Sequence, residues 1–193
     1  MTTVLLLRHA EPVLPGTAGF DETTRPLTAS GTAAALELAA ALDDRPLAAV
    51  YSSPYRRAIA TVEPLAARRG LRVEVVPEFR EHVLSSEPIA NWREVLTASW
   101  NDFEAAPGGG EPLRATLERG CLALERLRAR HPGEGIAIGG HGTIFACILH
   151  SILPRVDCEF HLAMPMPAVY ELAYAEGSWS LRSGPQISEY AGL

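Results

Sequence analysis

A run of four aliphatic residues, Val4-Leu5-Leu6-Leu7, stops abruptly at Arg8-His9, and Ala10-Glu11-Pro12 follows directly. Four apolar residues in a row, bounded by polar ones, fit a buried strand. In an α/β domain, ligands gather outside the carboxyl ends of strands. A guanidinium beside a nucleophile-capable imidazole at such an edge suits a phosphate group. An isolated Arg-His pair is more commonly a solvated cation beside a hydrogen-bonded ring, so the rest of the chain has to decide.

The rest of the chain alternates. Short apolar runs at 3–7, 47–51, 71–76 and 135–138 read as strands, and between them lie segments with helical periodicity. Thr28 is a plausible N-cap for a helix over 28–42. Ser53 followed by Pro54 reads as N-cap and first helical residue of a second helix ending near Arg68. An amphipathic helix spans 111–130, with Leu113, Leu117, Leu124 and Leu127 on its apolar stripe, and another spans 143–153. Two terminal strands, 169–174 and 179–182, joined by Glu176-Gly177, look like a hairpin. The segment 12–25, with two prolines and two glycines, is a loop over the first strand end. The pattern predicts one α/β domain over 1–193, with a mostly parallel sheet.

Residues 81–112 are harder to assign. A helix over 91–104 carries Trp92, Trp100 and Phe103, and Pro107-Gly108-Gly109-Gly110 breaks it. Those aromatics are either ordinary core or the lining of a lid that recognises an apolar or ring-bearing leaving group. Both readings stand at this point.

Composition removes several classes of function. The net charge of −6 argues against nucleic acid or an anionic membrane as partner. At that charge an anion has to be recognised by a local cluster; the 17 basic residues are all arginine, which suits forked anion recognition, although codon composition is the simpler source of such a bias. Cys121, Cys147 and Cys158 show no paired or metal-type spacing and read as buried thiols in a reducing compartment. No signal-peptide pattern opens the chain, and 136–153 is interrupted by glycines and by His141 and His150, a poor membrane span. A cytoplasmic protein is expected. No helix-face pair of ligands points to a metal, and no cofactor is expected. Oligomeric state is not readable.

Three strands end in polar, helix-initiating turns: Arg8-His9, then Ser52-Ser53-Pro54-Tyr55-Arg56-Arg57, then Gly140-His141-Gly142-Thr143. If parallel and adjacent, they bring two arginines, two histidines and free helix N–H groups to one edge, a ready anion site. Arg57 and Thr61 share a helix face, and Arg56 points elsewhere. Gly142 removes a Cβ beside His141 and permits close backbone approach to a ligand.

With those residues in view, the chain resembles the histidine phosphatase superfamily, also called phosphoglycerate mutase-like. The matching landmarks are Leu7-Arg8-His9-Ala10-Glu11, Pro26-Leu27-Thr28-Ala29-Ser30-Gly31 and Ser52-Ser53-Pro54-Tyr55-Arg56-Arg57-Ala58. Phe79-Arg80-Glu81, Gly110-Glu111-Pro112 and Gly140-His141-Gly142 follow in the family's order. The resemblance implies a three-layer α/β/α sandwich. It also implies a metal-independent phosphoric monoester hydrolase of the histidine acid phosphatase type, acting on a small-molecule phosphomonoester. His9 then corresponds to the nucleophile that forms a phosphohistidine. Arg8, Arg57, His141 and Gly142 correspond to the phosphate clamp, with His141 also counted as catalytic. Glu81 matches the general acid and base, with Glu78 and Glu87 as competitors nearby; such an acid requires burial or anionic neighbours to raise its pKa.

The departures from the family pattern are informative. Ala10 replaces a common glycine. Leu14-Pro15-Gly16 lacks the expected polar phosphate contact. His82-Val83-Leu84-Ser85-Ser86 replaces the signature that follows the acid in the mutases. These favour a phosphatase over a phosphoglycerate-type mutase, and a non-catalytic phosphate- or phosphopeptide-binding protein is the third reading. His131, His150 and His161 lie outside the landmarks and read as packing or surface residues, while His82 is a weaker candidate for substrate contact.

Overall fold

The computed structural model describes residues 1–186 of the chain; residues 187–193 of the expected domain lie outside the described residues. Strand β1 (Thr2–Arg8) sits inside a six-stranded sheet with β2 (Ala49–Ser52), β3 (Val73–Val75), β4 (Gly135–Gly140), β5 (Ala168–Ala175) and β6 (Ser178–Ser183). The order is β3-β2-β4-β1-β5-β6. The first four strands in that order are parallel, and β5 and β6 run antiparallel.

Why β1 reads as unbroken hydrophobicity is now visible. Successive side chains of a strand face opposite ways. Val4 and Leu6 join one apolar cluster with Leu124 of helix α4 (Leu113–Arg130) and Ile144 and Ile148 of α5 (Gly142–Ile152). Leu5 and Leu7 join the other, with Ala39 of α1 (Ala29–Ala41) and Val62 and Leu65 of α2 (Arg56–Arg68). A strand covered on both faces has no polar side to display. The result is the expected α/β/α layering.

The local signals fare unevenly. Thr28 caps α1, accepting from the Gly31 N–H at 2.9 Å. The terminal hairpin closes at Glu176-Gly177, both at positive φ (53° and 82°), the geometry of a tight primed turn. Ser53, however, does not cap α2. That helix begins at Arg56 with no side-chain cap, because Ser53 is still held to the sheet by its N–H on the Gly139 carbonyl (2.8 Å). A short helix, α6 (Cys158–Ala163), follows α5; Asp157 caps it by accepting from the Phe160 N–H at 2.9 Å. Six residues are too few to show a helical period, so the sequence reads past it.

Within 81–112, helix α3 (Trp92–Asn101) is flanked by close backbone crossings rather than by a loose breaker. A Cβ on Gly108 would stand 2.3 Å from the Leu84 carbonyl oxygen, and one on Gly110 1.8 Å from that of Val83. Those two glycines let the chain run against itself. Trp100 and Phe103 form an edge-to-face pair, centroids 5.4 Å apart, and Trp100 packs on the core; Trp92 is exposed. Among the described residues, no helix is long and apolar enough to cross a membrane.

Candidate active site

The ends of β1, β2 and β4 finish level: Arg8 is in register with Gly140, and Ser52 with Gly139. The residues that follow, His9, Ser53 and His141, therefore emerge together at one sheet edge. The rings of His9 and His141 meet edge-to-face with centroids 5.3 Å apart.

A hydrogen bond to a carbonyl assigns the ring proton of His9. Nδ1 of His9 lies 2.8 Å from the Ala10 carbonyl oxygen, which only accepts. Nδ1 therefore carries the hydrogen, and Nε2 keeps its lone pair. Burial, together with the charges of Arg57, Arg8 and Arg25, lowers the His9 pKa to about 3, so the ring is neutral at physiological pH. Nε2 of His141 lies 2.7 Å from the Ser53 hydroxyl, which also accepts from the Tyr55 N–H at 3.2 Å. A serine hydroxyl carries one hydrogen and two lone pairs, so while accepting from Tyr55 it can still either donate to Nε2 or accept from it. Nδ1 of His141 is buried and has no partner among the described residues. Burial and the charges of Arg57, His9 and Arg8 hold the His141 pKa well below its usual value. His9 thus presents a nitrogen lone pair beside the buried ring of His141.

The guanidinium groups come from different directions. Arg8 donates through Nη1 to the Met164 carbonyl at the end of α6, which braces it from behind. Gly142 is where Arg8 and His161 converge: a Cβ there would stand 3.2 Å from the Arg8 Cζ and 3.1 Å from the His161 Nε2. The missing Cβ thus serves this crowding as well as any ligand. Arg57, with its side chain 2% exposed, donates to the Glu22 carbonyl at 2.6 Å and pairs with the Glu22 carboxylate at 2.8 Å. Tyr55 lies beneath its guanidinium, 4.9 Å from the ring centroid, and edge-on to His141 at the same centroid distance. Arg56 is exposed. Thr61 ties the two halves together, donating to the Arg57 carbonyl (2.8 Å) and accepting from the Ala10 N–H (3.0 Å).

Glu81 enters from the turn after Pro77–Phe79. Its carboxylate accepts from three backbone N–H groups: His82 at 2.8 Å, and Thr143 and Ile144 each at 3.2 Å. It therefore sits on the N-terminus of α5, directly beyond His141. Glu78 instead pairs with Arg126 at 2.6 Å, and Glu87 is exposed. His82 turns inward, its Nδ1 2.9 Å from the Thr116 hydroxyl. Among the described residues, no group of three or more His, Cys, Asp or Glu side chains is arranged to hold a metal ion.

A model of the histidine phosphatase superfamily (branch 1) matches residues 4–184. The chain belongs to that family. It is 34% identical over 123 residues to protein Rv0525 of Mycobacterium tuberculosis, covering 60% of each chain. It is 29% identical over 163 residues to a metal-independent phosphoserine phosphatase of Arabidopsis thaliana, covering 77% of this chain and 67% of that one. Among solved structures it resembles a phosphoserine phosphatase mutant from Entamoeba histolytica in complex with phosphoserine (TM-score 0.78, 18% identity, 96% and 98% coverage). It likewise resembles a mycobacterial glucosyl-3-phosphoglycerate phosphatase (TM-score 0.75, 21% identity, 93% and 96% coverage).

Several residues of this histidine phosphatase domain escape a reading of the sequence. Ser53, part of a strand-end turn, reads locally as a cap, with nothing to mark its bond to His141. Glu22 and Arg25 sit in a loop without periodicity. His161 comes from α6; its Nε2 lies 3.3 Å from the Thr143 hydroxyl, and burial lowers its pKa to about 4. Arg119 of α4 donates to the carbonyls of Glu78 (2.6 Å) and Arg80 (2.7 Å) and pairs with Glu111 at 2.8 Å. It thereby holds the backbone that carries Glu81. An arginine on an otherwise amphipathic helix reads as surface, and its one sequence signal is the Gly110-Glu111-Pro112 landmark that supplies its partner.

Proposed function

We propose that this protein is a metal-independent phosphomonoesterase that hydrolyses small-molecule phosphomonoesters through a phosphohistidine on His9. The single observation that carries this reading is the pairing of a neutral His9, its Nε2 lone pair left free by the Nδ1 bond to Ala10, with the ring of His141 alongside. In the first step Nε2 of His9 attacks phosphorus and the bond from phosphorus to the ester oxygen breaks. Glu81 donates a proton to that oxygen, and the alcohol leaves. Water then attacks the phosphohistidine, Glu81 takes the proton back, and the nitrogen–phosphorus bond breaks to release orthophosphate. Arg8, Arg57, the Nδ1–H of His141 and the N–H of Gly142 bind the phosphoryl oxygens as their charge redistributes. The Arabidopsis relative, named a metal-independent phosphoserine phosphatase, supports the same substrate class. The segment 81–112, with Trp100 beside His161, is the part of the chain that meets the leaving group.

The test is turnover of an aryl phosphate in EDTA, with rapid quench of a radiolabelled substrate. The expected label is acid-labile and alkali-stable, and His9→Ala abolishes it. Label that survives His9→Ala overturns the nucleophile. Binding of phosphate without turnover identifies a phosphate-binding protein, and phosphoryl return to a phosphoglycerate identifies a mutase.

A further inference from the structure

Glu22 occupies an unusual position for a loop carboxylate. Its Oε1 lies 2.8 Å from Nη2 of Arg57 and 2.7 Å from Nη2 of Arg25, and its Oε2 accepts from Nε of Arg25 at 2.9 Å. Two guanidinium groups therefore share one anion, one of them through a forked pair of bonds. We propose that Glu22 is a resident stand-in for the phosphoryl group: before substrate binds it holds Arg57 and Arg25, and the incoming phosphoryl group displaces it and takes over both. The proposal rests on the phosphatase reading of this site and adds Arg25 to the phosphate-binding residues.

Burial argues for exchange rather than for a fixed brace. The Arg57 and Arg25 side chains are 2% and 8% exposed, whereas that of Glu22 is 52% exposed. A buried guanidinium cannot shed its charge and is costly to leave unpaired. A half-exposed carboxylate regains water when it swings outward. The arginines are held from elsewhere as it leaves, Arg57 by the Glu22 carbonyl at 2.6 Å and Arg25 by the Val13 carbonyl at 2.6 Å. Arg25 is also close enough to His9 for its charge to act on that ring.

An internal competitor weakens the measured affinity of what replaces it. If the displaced form makes up about 1–10% of the free protein, ligand binding is weaker than its intrinsic value by about ten- to a hundredfold. The same competition speeds release of orthophosphate after each turnover.

Titration calorimetry of the full chain with orthophosphate tests this. Glu22→Gln and Glu22→Ala are expected to bind orthophosphate about ten- to a hundredfold more tightly than wild type, and Arg25→Gln more weakly. A merely structural brace predicts the opposite sign, since a loosened loop would loosen the clamp. Unchanged or weaker binding in both Glu22 variants overturns the proposal, and unchanged binding in Arg25→Gln removes Arg25 from it. Wild-type protein that binds no orthophosphate overturns the phosphatase reading as well; wild-type binding without a gain in the Glu22 variants overturns this inference alone.

Discussion

Replacing Ser53 by alanine removes a single hydroxyl from a fully buried position, and the structure sets how much that costs. The hydroxyl lies 2.7 Å from Nε2 of His141, a ring that is itself 0% exposed. Among the described residues nothing else bonds that nitrogen, so the alanine variant leaves it buried without a partner, at about 1–3 kcal/mol. Each 1.36 kcal/mol in a barrier is a decade of rate, so the loss corresponds to about five- to about 150-fold in kcat/KM if it falls on the transition state. On the proposed mechanism it falls there, because a Ser53 hydroxyl that donates to Nε2 keeps the proton of His141 on Nδ1, toward the phosphoryl oxygens. Once the bond is gone, the other tautomer becomes accessible and turns a lone pair toward the developing negative charge. The assay is kcat/KM for an aryl phosphate beside urea unfolding of the same variant. The expected result is a rate loss within that range, larger than the factor that any stability loss explains through the folded fraction. A variant that unfolds earlier in urea yet turns over within twofold of wild type refutes the tautomer assignment and leaves Ser53 a packing residue.

Adjacent arginines on α2 should behave oppositely. Arg57→Met is expected to lose about two to three decades in kcat, whereas exposed Arg56→Ala should stay within about twofold; equal losses would place the clamp wrongly. Glu81→Gln should slow alkyl phosphates far more than aryl phosphates, whose leaving groups need no proton; equal slowing would remove Glu81 as the acid. His161 predicts an acid sensitivity of the fold. Its folded pKa of about 4 lies below the unfolded value near 6.5, so between the two the unfolded chain binds the extra proton. Its contribution is complete above about pH 6.5 and drains as pH falls toward 4, amounting to up to about 3 kcal/mol. His161→Gln should flatten the dependence of the urea midpoint over that window, and an unchanged slope would refute it.

Much of the framework was legible because it is written in local pattern. The continuous apolar stretch of β1 can be satisfied only between two covering layers, and Glu176-Gly177 can scarcely do other than turn. Elsewhere a distant partner overrules the local pattern. Ser53-Pro54 has the grammar of a helix start, yet its hydroxyl serves a histidine 88 residues away. The three glycines after Pro107 look like a flexible break, yet at Gly108 and Gly110 backbone crosses tightly on backbone. Helix α6 left no trace because six residues do not complete two turns, though it supplies both the Met164 carbonyl that braces Arg8 and the ring of His161.

The sequence alone determined which chemical groups are present and that they follow strand ends, since buried strands and the polar turns after them are recorded in residue order. It determined equally that an anion would be met by arginine, the one long cation the chain contains. Packing settled the rest: which nitrogen of His9 is free, that Glu22 lies between two arginines, and that Glu81 rests on the start of α5. Those outcomes depend on ångström-scale distances between segments far apart along the chain, and such distances are set by how the layers pack rather than by any neighbour in sequence.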